Sequence, residues 1–154
     1  MATVGEIGNR AVVTVTRDAT VIEAAKLMRD HHVGSLVVVD ARGATERAVG
    51  IITDRDLVVE IMALDLEGSE IRVGEIMSSA LFTARVNDGV RETLELMRDK
   101  GVRRVPIVSP LGTLIGIVTA DDLIRALAED IGALASISAR EQAREAAQRR
   151  TLSG

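Results

Sequence analysis

The same pattern occurs twice in the chain: a glycine, two apolar residues, a threonine, two further residues and an aspartate, at Gly50–Asp56 and Gly116–Asp122. Each threonine lies between a β-branched segment and a helical one, so the spacing predicts a helix N-cap, which by itself is a common capping pattern. The same helix end offers free N–H groups and a positive dipole end, which favour a phosphate. An aspartate one turn further on can accept hydrogen bonds from both hydroxyls of a ribose. The glycine leaves room for a ligand to approach the strand backbone.

Arginines surround the two motifs unequally. Arg103 and Arg104 precede an apolar run of the second copy, where the first copy has Gly and Ser at 34–35, and Arg55 lies inside the first motif, where the second has Asp121. A guanidinium can bind two phosphate oxygens at once, although a single arginine is more often a solvated surface residue. Next to these motifs we expect phosphate contacts from Arg104 and Arg55, and we include Arg103 with them. Unequal basic surroundings predict unequal affinities, or different ligands, at the two motifs.

The motifs belong to a longer internal repeat. Val4–Ile7 (Val-Gly-Glu-Ile) returns as Val73–Ile76, a shift of 69 residues, and at the Gly50 and Gly116 motifs the shift falls to 66. The difference of three residues lies in 41–48 and predicts a longer hairpin loop in the first copy. Collinear matches that include polar positions indicate duplication.

Each copy shows the element order β-α-β-β-α. Short β-branched segments at 12–15 and 81–84 precede helices with apolar residues at helical spacing, the first beginning at Thr20 with a capping box. Continuous apolar runs then predict strands buried on both faces. Further strands lead into helices at 54–63 and 120–129. Because neither copy can bury its apolar faces alone, we predict an α+β fold in which the two copies pack sheet to sheet.

The predicted domain boundaries are 3–66 for the first repeat and 67–130 for the second. Residues 131–154 have no counterpart in the first copy and are rich in strong helix formers of mixed charge. Two interpretations remain open for them: a helical arm that packs on a partner subunit, or a solvated, disordered tail.

Composition excludes several classes of function. A net charge of -4 and a single aromatic residue, Phe82, argue against a nucleic-acid-binding surface. No apolar run approaches the roughly 20 residues of a membrane-spanning helix, and the first residues lack the pattern of a signal peptide. The chain has no cysteine, which fits a cytoplasmic location. His31 and His32 lack the further ligands of a transition-metal site, and no nucleophile–base arrangement predicts catalysis.

The duplicated element order, the two Gly-apolar-apolar-Thr-x-x-Asp motifs and the segment Gly101–Val108 (Gly-Val-Arg-Arg-Val-Pro-Ile-Val) closely resemble a CBS-domain pair, or Bateman module. The resemblance covers about residues 3–130. It implies two motifs packed about a pseudo-twofold axis, with adenine nucleotides or related adenosyl ligands in two clefts, and dimers shaped like a flat disk. It also implies residue roles: ribose contacts from Asp56 and Asp122; phosphate contacts from Thr53, Thr119, Arg55, Arg104 and Arg103; base contacts from Thr14, Val15, Thr83, Ala84, Leu36, Val105 and Pro106.

The function that follows is a non-catalytic regulatory module that requires no cofactor and no metal. It would bind AMP, ADP, ATP or NAD and signal nucleotide status to an effector protein through a change in conformation or assembly. The alternative is a ligand-free dimeric adaptor that binds a protein partner. A nucleotide-processing enzyme and a metal-binding stress protein that uses the two histidines are further hypotheses, with less in the sequence to support them.

Overall fold

A computed structural model describes residues 2–42 and 45–153. The elements, in chain order, are α1 (Val4–Ile7), β1 (Thr14–Thr16), α2 (Val21–His31), β2 (Ser35–Arg42), β3 (Thr45–Thr53), α3 (Asp54–Leu57, continued by a π-helical turn at Val58–Met62), α4 (Val73–Ile76), β4 (Ala84–Arg85), α5 (Val90–Lys100), β5 (Arg104–Val108), β6 (Leu114–Thr119) and α6 (Ala120–Leu152).

Each repeat forms a three-stranded sheet, in the orders β1-β2-β3 and β4-β5-β6. The first pair of strands in each sheet is parallel and the second is antiparallel. The middle strands are the continuous apolar runs, and the four residues 36–39 are all at most 2% exposed, as expected for a strand covered on both faces. Strands β3 and β6 contact each other between the two sheets. The predicted α+β fold of two repeats packed sheet to sheet is confirmed.

At the glycine of each repeated motif, a segment of the other repeat passes close to the strand backbone. Ile51 and Ser78 exchange backbone hydrogen bonds of 3.1 and 2.9 Å, and Ile117 and Asn9 exchange two bonds of 2.9 Å. A Cβ on Gly50 would lie 2.7 Å from the Ser78 carbonyl oxygen. The sequence-based expectation that this glycine makes room for a ligand is therefore wrong, because protein backbone occupies that space.

The two repeats exchange their first helices. Val4 of α1 is buried in the core of the second repeat, and Val73 of α4 is buried in the core of the first. Backbone hydrogen bonds fix both exchanges, from Gly5 to the Val86 carbonyl at 3.0 Å and from Gly74 to the Arg17 carbonyl at 2.9 Å. Each core is thus completed by a helix of the other repeat.

The helices after β1 and β4 end in matching ways but begin differently, because the N-cap of α5 is Gly89, which has no side chain to cap the helix. Thr20 caps α2: the Glu23 amide donates to its hydroxyl at 3.1 Å, and the Thr20 amide donates to the Glu23 carboxylate at 2.7 Å. The hydrogen bond from the Thr20 backbone amide is the largest of the causes that lower the pKa of Glu23 below its ordinary value. Both helices end in the left-handed conformation, at His32 in α2 and at Gly101 in α5.

Several strands and helices begin or end at residues other than those that the sequence predicts. The first strands begin two to three residues later than predicted, at Thr14 and Ala84. The longer loop predicted at 41–48 is wrong, because β2 continues to Arg42 and β3 begins at Thr45, with Asp40 paired to Arg47. The extra residues lengthen the hairpin strands, and only 43–44 of that loop lie outside the described residues. The last helix continues far beyond the predicted 129, since the following segment consists of strong helix formers.

Within the described residues, no helix is both long enough and apolar enough to cross a bilayer.

Candidate functional site

Two clefts lie between the repeats, with volumes of about 270 and 260 Å³. Both are slightly smaller than the roughly 300 Å³ at the lower end of small-molecule pockets. Cleft 1 is lined by Ile51, Thr53, Asp56, Ser78, Ala80, Leu81, Phe82, Val102, Arg103 and Arg104. Cleft 2 is lined by Asn9, Ala11, Val12, Val13, Val33, Gly34, Ser35, Val37, Arg104, Ile117, Thr119 and Asp122.

The clefts are related by the internal repeat. Every residue that lines cleft 1 has its repeat counterpart in cleft 2, at a shift of 66 for the motif and 69 elsewhere. In each cleft one repeat supplies the Thr and Asp of its motif, and the other repeat supplies the segment before its first strand and the start of its middle strand. Neither cleft exists in an isolated repeat.

The Thr and Asp of each motif form a capping box at the rim of the cleft. The Thr53 amide donates to Asp56 Oδ2 at 2.8 Å, and the Asp56 amide donates to Thr53 Oγ1 at 3.2 Å. The same two bonds, with the same distances, join Thr119 and Asp122. In cleft 2 the Thr119 hydroxyl also donates to Asp122 Oδ2 at 2.8 Å.

The capping bonds involve Oδ2 of each carboxylate and leave Oδ1 outside the cap. Asp122 Oδ1 accepts a hydrogen bond of 3.3 Å from Arg125, whose side chain is 68% exposed. Within the described part of the chain, Asp56 Oδ1 has no hydrogen-bond partner. Such an oxygen, held in place by the cap, can accept hydrogen bonds from vicinal hydroxyls of a ligand.

The three predicted arginines occupy different environments. Arg104 is half-buried and borders both clefts, and its guanidinium has no hydrogen bond or ion pair with any described residue. Arg103 lines cleft 1 and forms an exposed ion pair of 3.4 Å with Asp121, an arrangement of little intrinsic strength. The structure places Arg55 on the solvent side of α3 and outside both clefts, one position round the helix from Asp56.

The residues predicted to contact a base do not line either cleft. Thr14 and Val15 border an open groove on the outer face of the first repeat, beside Arg72. Thr83 is exposed, and the others are buried in the core: Ala84, Leu36, Val105 and Pro106.

The positions that do line the clefts lie two to three residues earlier in the chain. They are apolar, at 11–13 and 80–82, together with Val33 and Val102 just before the middle strands. The β-branched pattern predicts strand at part of these segments, whereas the strands begin only at Thr14 and Ala84. An apolar segment left outside a strand was the signal that could have identified them.

Charges near the clefts differ more than their shapes. A Cβ placed on Gly34 would lie 3.1 Å from Asp54 Oδ2 and 3.7 Å from an Arg104 guanidinium nitrogen. An acidic side chain is therefore next to Gly34 of cleft 2, whereas the counterpart of Asp54 beside cleft 1 is Ala120. The acidic side chain beside cleft 1, Asp121, is paired with Arg103. Cleft 1 also contains Phe82, whose ring lies 5.2 Å from the Lys100 ammonium, within the range of a cation–π contact.

The histidines are at the end of α2, where both are exposed. Among residues 2–42 and 45–153, no three His, Cys, Asp or Glu side chains are grouped as metal ligands would be.

Comparison with known proteins gives a consistent result. The family model for the CBS domain matches residues 4–63 and 73–129. The chain is 40% identical over 122 residues to an uncharacterized protein of Methanopyrus kandleri, covering 79% of this chain but 61% of that protein. It is 35% identical over 129 residues to hypoxic response protein 1 of Mycobacterium tuberculosis, covering 84% of this chain and 87% of that protein.

Solved structures agree with the family model. A putative signal-transduction protein with CBS domains from Burkholderia ambifaria superimposes with a TM-score of 0.73 at 29% identity, covering 84% of this chain and 96% of that chain. A CBS domain pair in complex with 5′-methylthioadenosine and S-adenosyl-L-methionine superimposes with a TM-score of 0.73 at 27% identity, covering 84% and 98%. Hypoxic response protein 1 with two coordinated zinc ions gives 0.70 at 34% identity, covering 80% and 98%.

Proposed function

The chain belongs to the CBS-domain family as a tandem pair of CBS motifs, and on that premise we propose that it is a non-catalytic regulatory module that binds adenine nucleotides. One observation carries the proposal: two matched Thr/Asp helix caps border two clefts that share Arg104, an arginine with no ion pair to any described residue. This set combines an acceptor for ribose hydroxyls with a donor for phosphate oxygens.

The ligand's parts correspond to the parts of each cleft. The ribose hydroxyls donate to Oδ1 of Asp56 or Asp122. The phosphates extend toward Arg104 and the helix N-cap formed by Thr53 or Thr119. The base lies among the aliphatic residues at 11–13 or 80–82. The ligand class is AMP, ADP, ATP or NAD, which share the adenosine that these groups would bind. The neighbour solved with two adenosyl ligands supports this class.

Regulation follows from the way the clefts are built. Each cleft takes residues from both repeats, so a ligand contacts both at once. A ligand that binds one arrangement of the repeats more tightly than another shifts the population toward it. We propose that this change, in a disk-like homodimer, is what an effector protein detects.

Calorimetric titration with AMP, ADP, ATP and NAD tests the proposal. The informative variants are Asp56→Asn and Asp122→Asn, because an amide oxygen can still cap the helix while the negative acceptor is lost. Each is expected to weaken binding at its own cleft about tenfold or more, since a hydrogen bond to a charged group contributes about 1.5–3 kcal/mol. Asp99→Asn, an exposed aspartate away from both clefts, is the matched control. No binding at millimolar nucleotide, or unchanged affinity in both variants, would contradict the proposal.

A second function is favoured by the last helix. Beyond the family match, three large apolar residues of α6 are well exposed: Ile131 at 66%, Leu134 at 67% and Ile137 at 58%. These residues support the alternative of an adaptor that binds a protein partner or a second subunit with its arm. If the adaptor function holds, Leu134→Lys abolishes assembly as measured by light scattering, and Asp56→Asn has no effect on assembly. If the regulatory function holds, the Asp56→Asn/Asp122→Asn double variant loses the change in conformation or assembly that the ligand causes.

A further inference from the structure

One cation serves both clefts. Among the residues that the structure describes, Arg104 at the start of β5 is the only one that lines both cleft 1 and cleft 2. Its repeat counterpart is Ser35, so the duplicated position carries an arginine once and a short neutral side chain once. Because no described residue pairs with the guanidinium, its donors are available to a ligand on either side.

The two clefts depend on this arginine to different degrees. Cleft 1 has a second cationic lining residue, Arg103. Cleft 2 has Gly34 at that position, with the Asp54 carboxylate next to it, and Arg104 is the sole cation among its described lining residues. Arg125 lies nearby but bonds to Asp122, outside the lining of the cleft.

We propose that Arg104 restricts the module to one polyphosphate ligand at a time, held in cleft 1, and leaves cleft 2 for an adenosyl ligand without phosphate charge. This inference rests on the proposed nucleotide-binding function and names the ligand class of each cleft. Once a polyphosphate in cleft 1 engages Arg104, a second polyphosphate in cleft 2 has no lining cation. It also faces the charge of the first ligand and that of Asp54.

The physical reason is the strength of the contact involved. A guanidinium contacts a phosphate through two parallel donors, which is among the stronger polar contacts in proteins. The loss of a charge-assisted hydrogen bond changes affinity by about tenfold or more. An uncharged adenosyl ligand makes no such contact, so its affinity for cleft 2 does not depend on Arg104.

The experiment is a calorimetric titration of the whole protein with ATP and with adenosine. In the unmodified protein, one ATP is expected to bind per chain, with any second ATP weaker by about tenfold or more. Adenosine is expected to bind the ATP-loaded protein with unchanged affinity. Two ATP molecules of equal affinity would overturn the inference while leaving the proposed function intact. If neither ATP nor adenosine binds, the proposed function itself fails.

Two variants sharpen the result. Ser35→Arg supplies the missing counterpart of Arg104 and is expected to bring the second ATP within about threefold of the first, a difference well below that of one charged contact. Arg104→Gln is expected to weaken ATP about tenfold while leaving adenosine unchanged. Arg91→Gln, at an exposed arginine of α5, is the matched control. If Arg104→Gln binds ATP as the unmodified protein does, Arg104 is not the shared cation.

Discussion

Cleft 1 and cleft 2 have nearly the same backbone but differ in the charged side chains beside them. In both, the first helical amide donates to the residue just before the middle strand: Asp54 to the Gly34 carbonyl at 3.0 Å and Ala120 to the Arg103 carbonyl at 2.8 Å. The hydrogen-bonding groups of the frame are therefore preserved after duplication. Side chains with no role in that frame have changed, since the first copy has Gly34 and Asp54 where the second has Arg103 and Ala120. Such a pair of sites can differ in ligand without any change of fold.

The largest expected effect on stability comes from disrupting the exchange of α1 and α4 between the two cores. Val4→Asp and Val73→Asp each place a carboxylate at a fully buried position in the other repeat. An unpaired buried charge should cost about 3–5 kcal/mol of unfolding free energy in either variant. Urea denaturation should show one cooperative transition for both. Val59→Asp, at a partly exposed site, should change little, and a stable second repeat in Val4→Asp would show that the cores are independent.

Substitution of Gly50 or Gly116, where a segment of the other repeat passes close to the strand, is expected to lower stability less, and by a similar amount at the two positions. Gly50→Ala and Gly116→Ala each place a methyl group within 3.0 Å of the facing carbonyl, of Ser78 or Asn9. Overpacking of this kind costs about 1–3 kcal/mol. In Gly132→Ala the added methyl group meets nothing within 4 Å inside α6, so helix propensity should raise stability slightly. Thermal unfolding of the three variants measures this, and a loss in only one of the first two would reveal unequal crossings.

Arg103→Gln tests how far the electrostatic difference depends on the flanking arginine. Because its side chain is 70% exposed and already paired with Asp121, it should contribute less than the shared Arg104. We expect ATP affinity of cleft 1 to fall about two- to fivefold, as for a contact of roughly 0.5–1 kcal/mol. The affinity of cleft 2 for adenosine should not change. A larger loss at cleft 2 than at cleft 1 would reverse the assignment of the clefts.

The smallest expected effect on stability comes from removing the carboxylate at the N-terminal cap of α2. The Thr20 amide donates to the Glu23 carboxylate at 2.7 Å, whereas the matching Gly89–Glu92 bond is 3.3 Å. Because folding lowers the pKa of Glu23 from its ordinary value of 4.5, its stabilisation is present above that pH and is lost as pH falls through the lowered pKa. Glu23→Gln should therefore destabilise the protein at pH 7 and make no difference in strong acid. Urea titrations at several pH values check this, and an equal effect of Glu23→Gln at pH 7 and in strong acid would contradict it.

The sequence predicts what depends on local pattern. The Thr/Asp caps, the buried middle strands and the duplicated order of elements all follow from residue types within a few positions of one another. The exchange of α1 and α4 does not, because nothing near Val4 or Val73 indicates which core receives it. The displaced base-contact positions have the same origin: where β1 begins is decided by pairing with β2, a partner more than twenty residues away.

The long helix α6 begins at the Thr119 cap on cleft 2 and continues without interruption to Leu152. At 1.5 Å per residue it is a rod of about 50 Å. If the helix moves as a rigid rod, a tilt of its first turn by about 5° displaces the far end by about 4 Å. The helix therefore connects the wall of cleft 2 to a distant point. The first helix after cleft 1 ends at Met62 and is much shorter. A movement at cleft 2 would be carried to the far end of α6, whereas a movement at cleft 1 has no helix of that length to carry it.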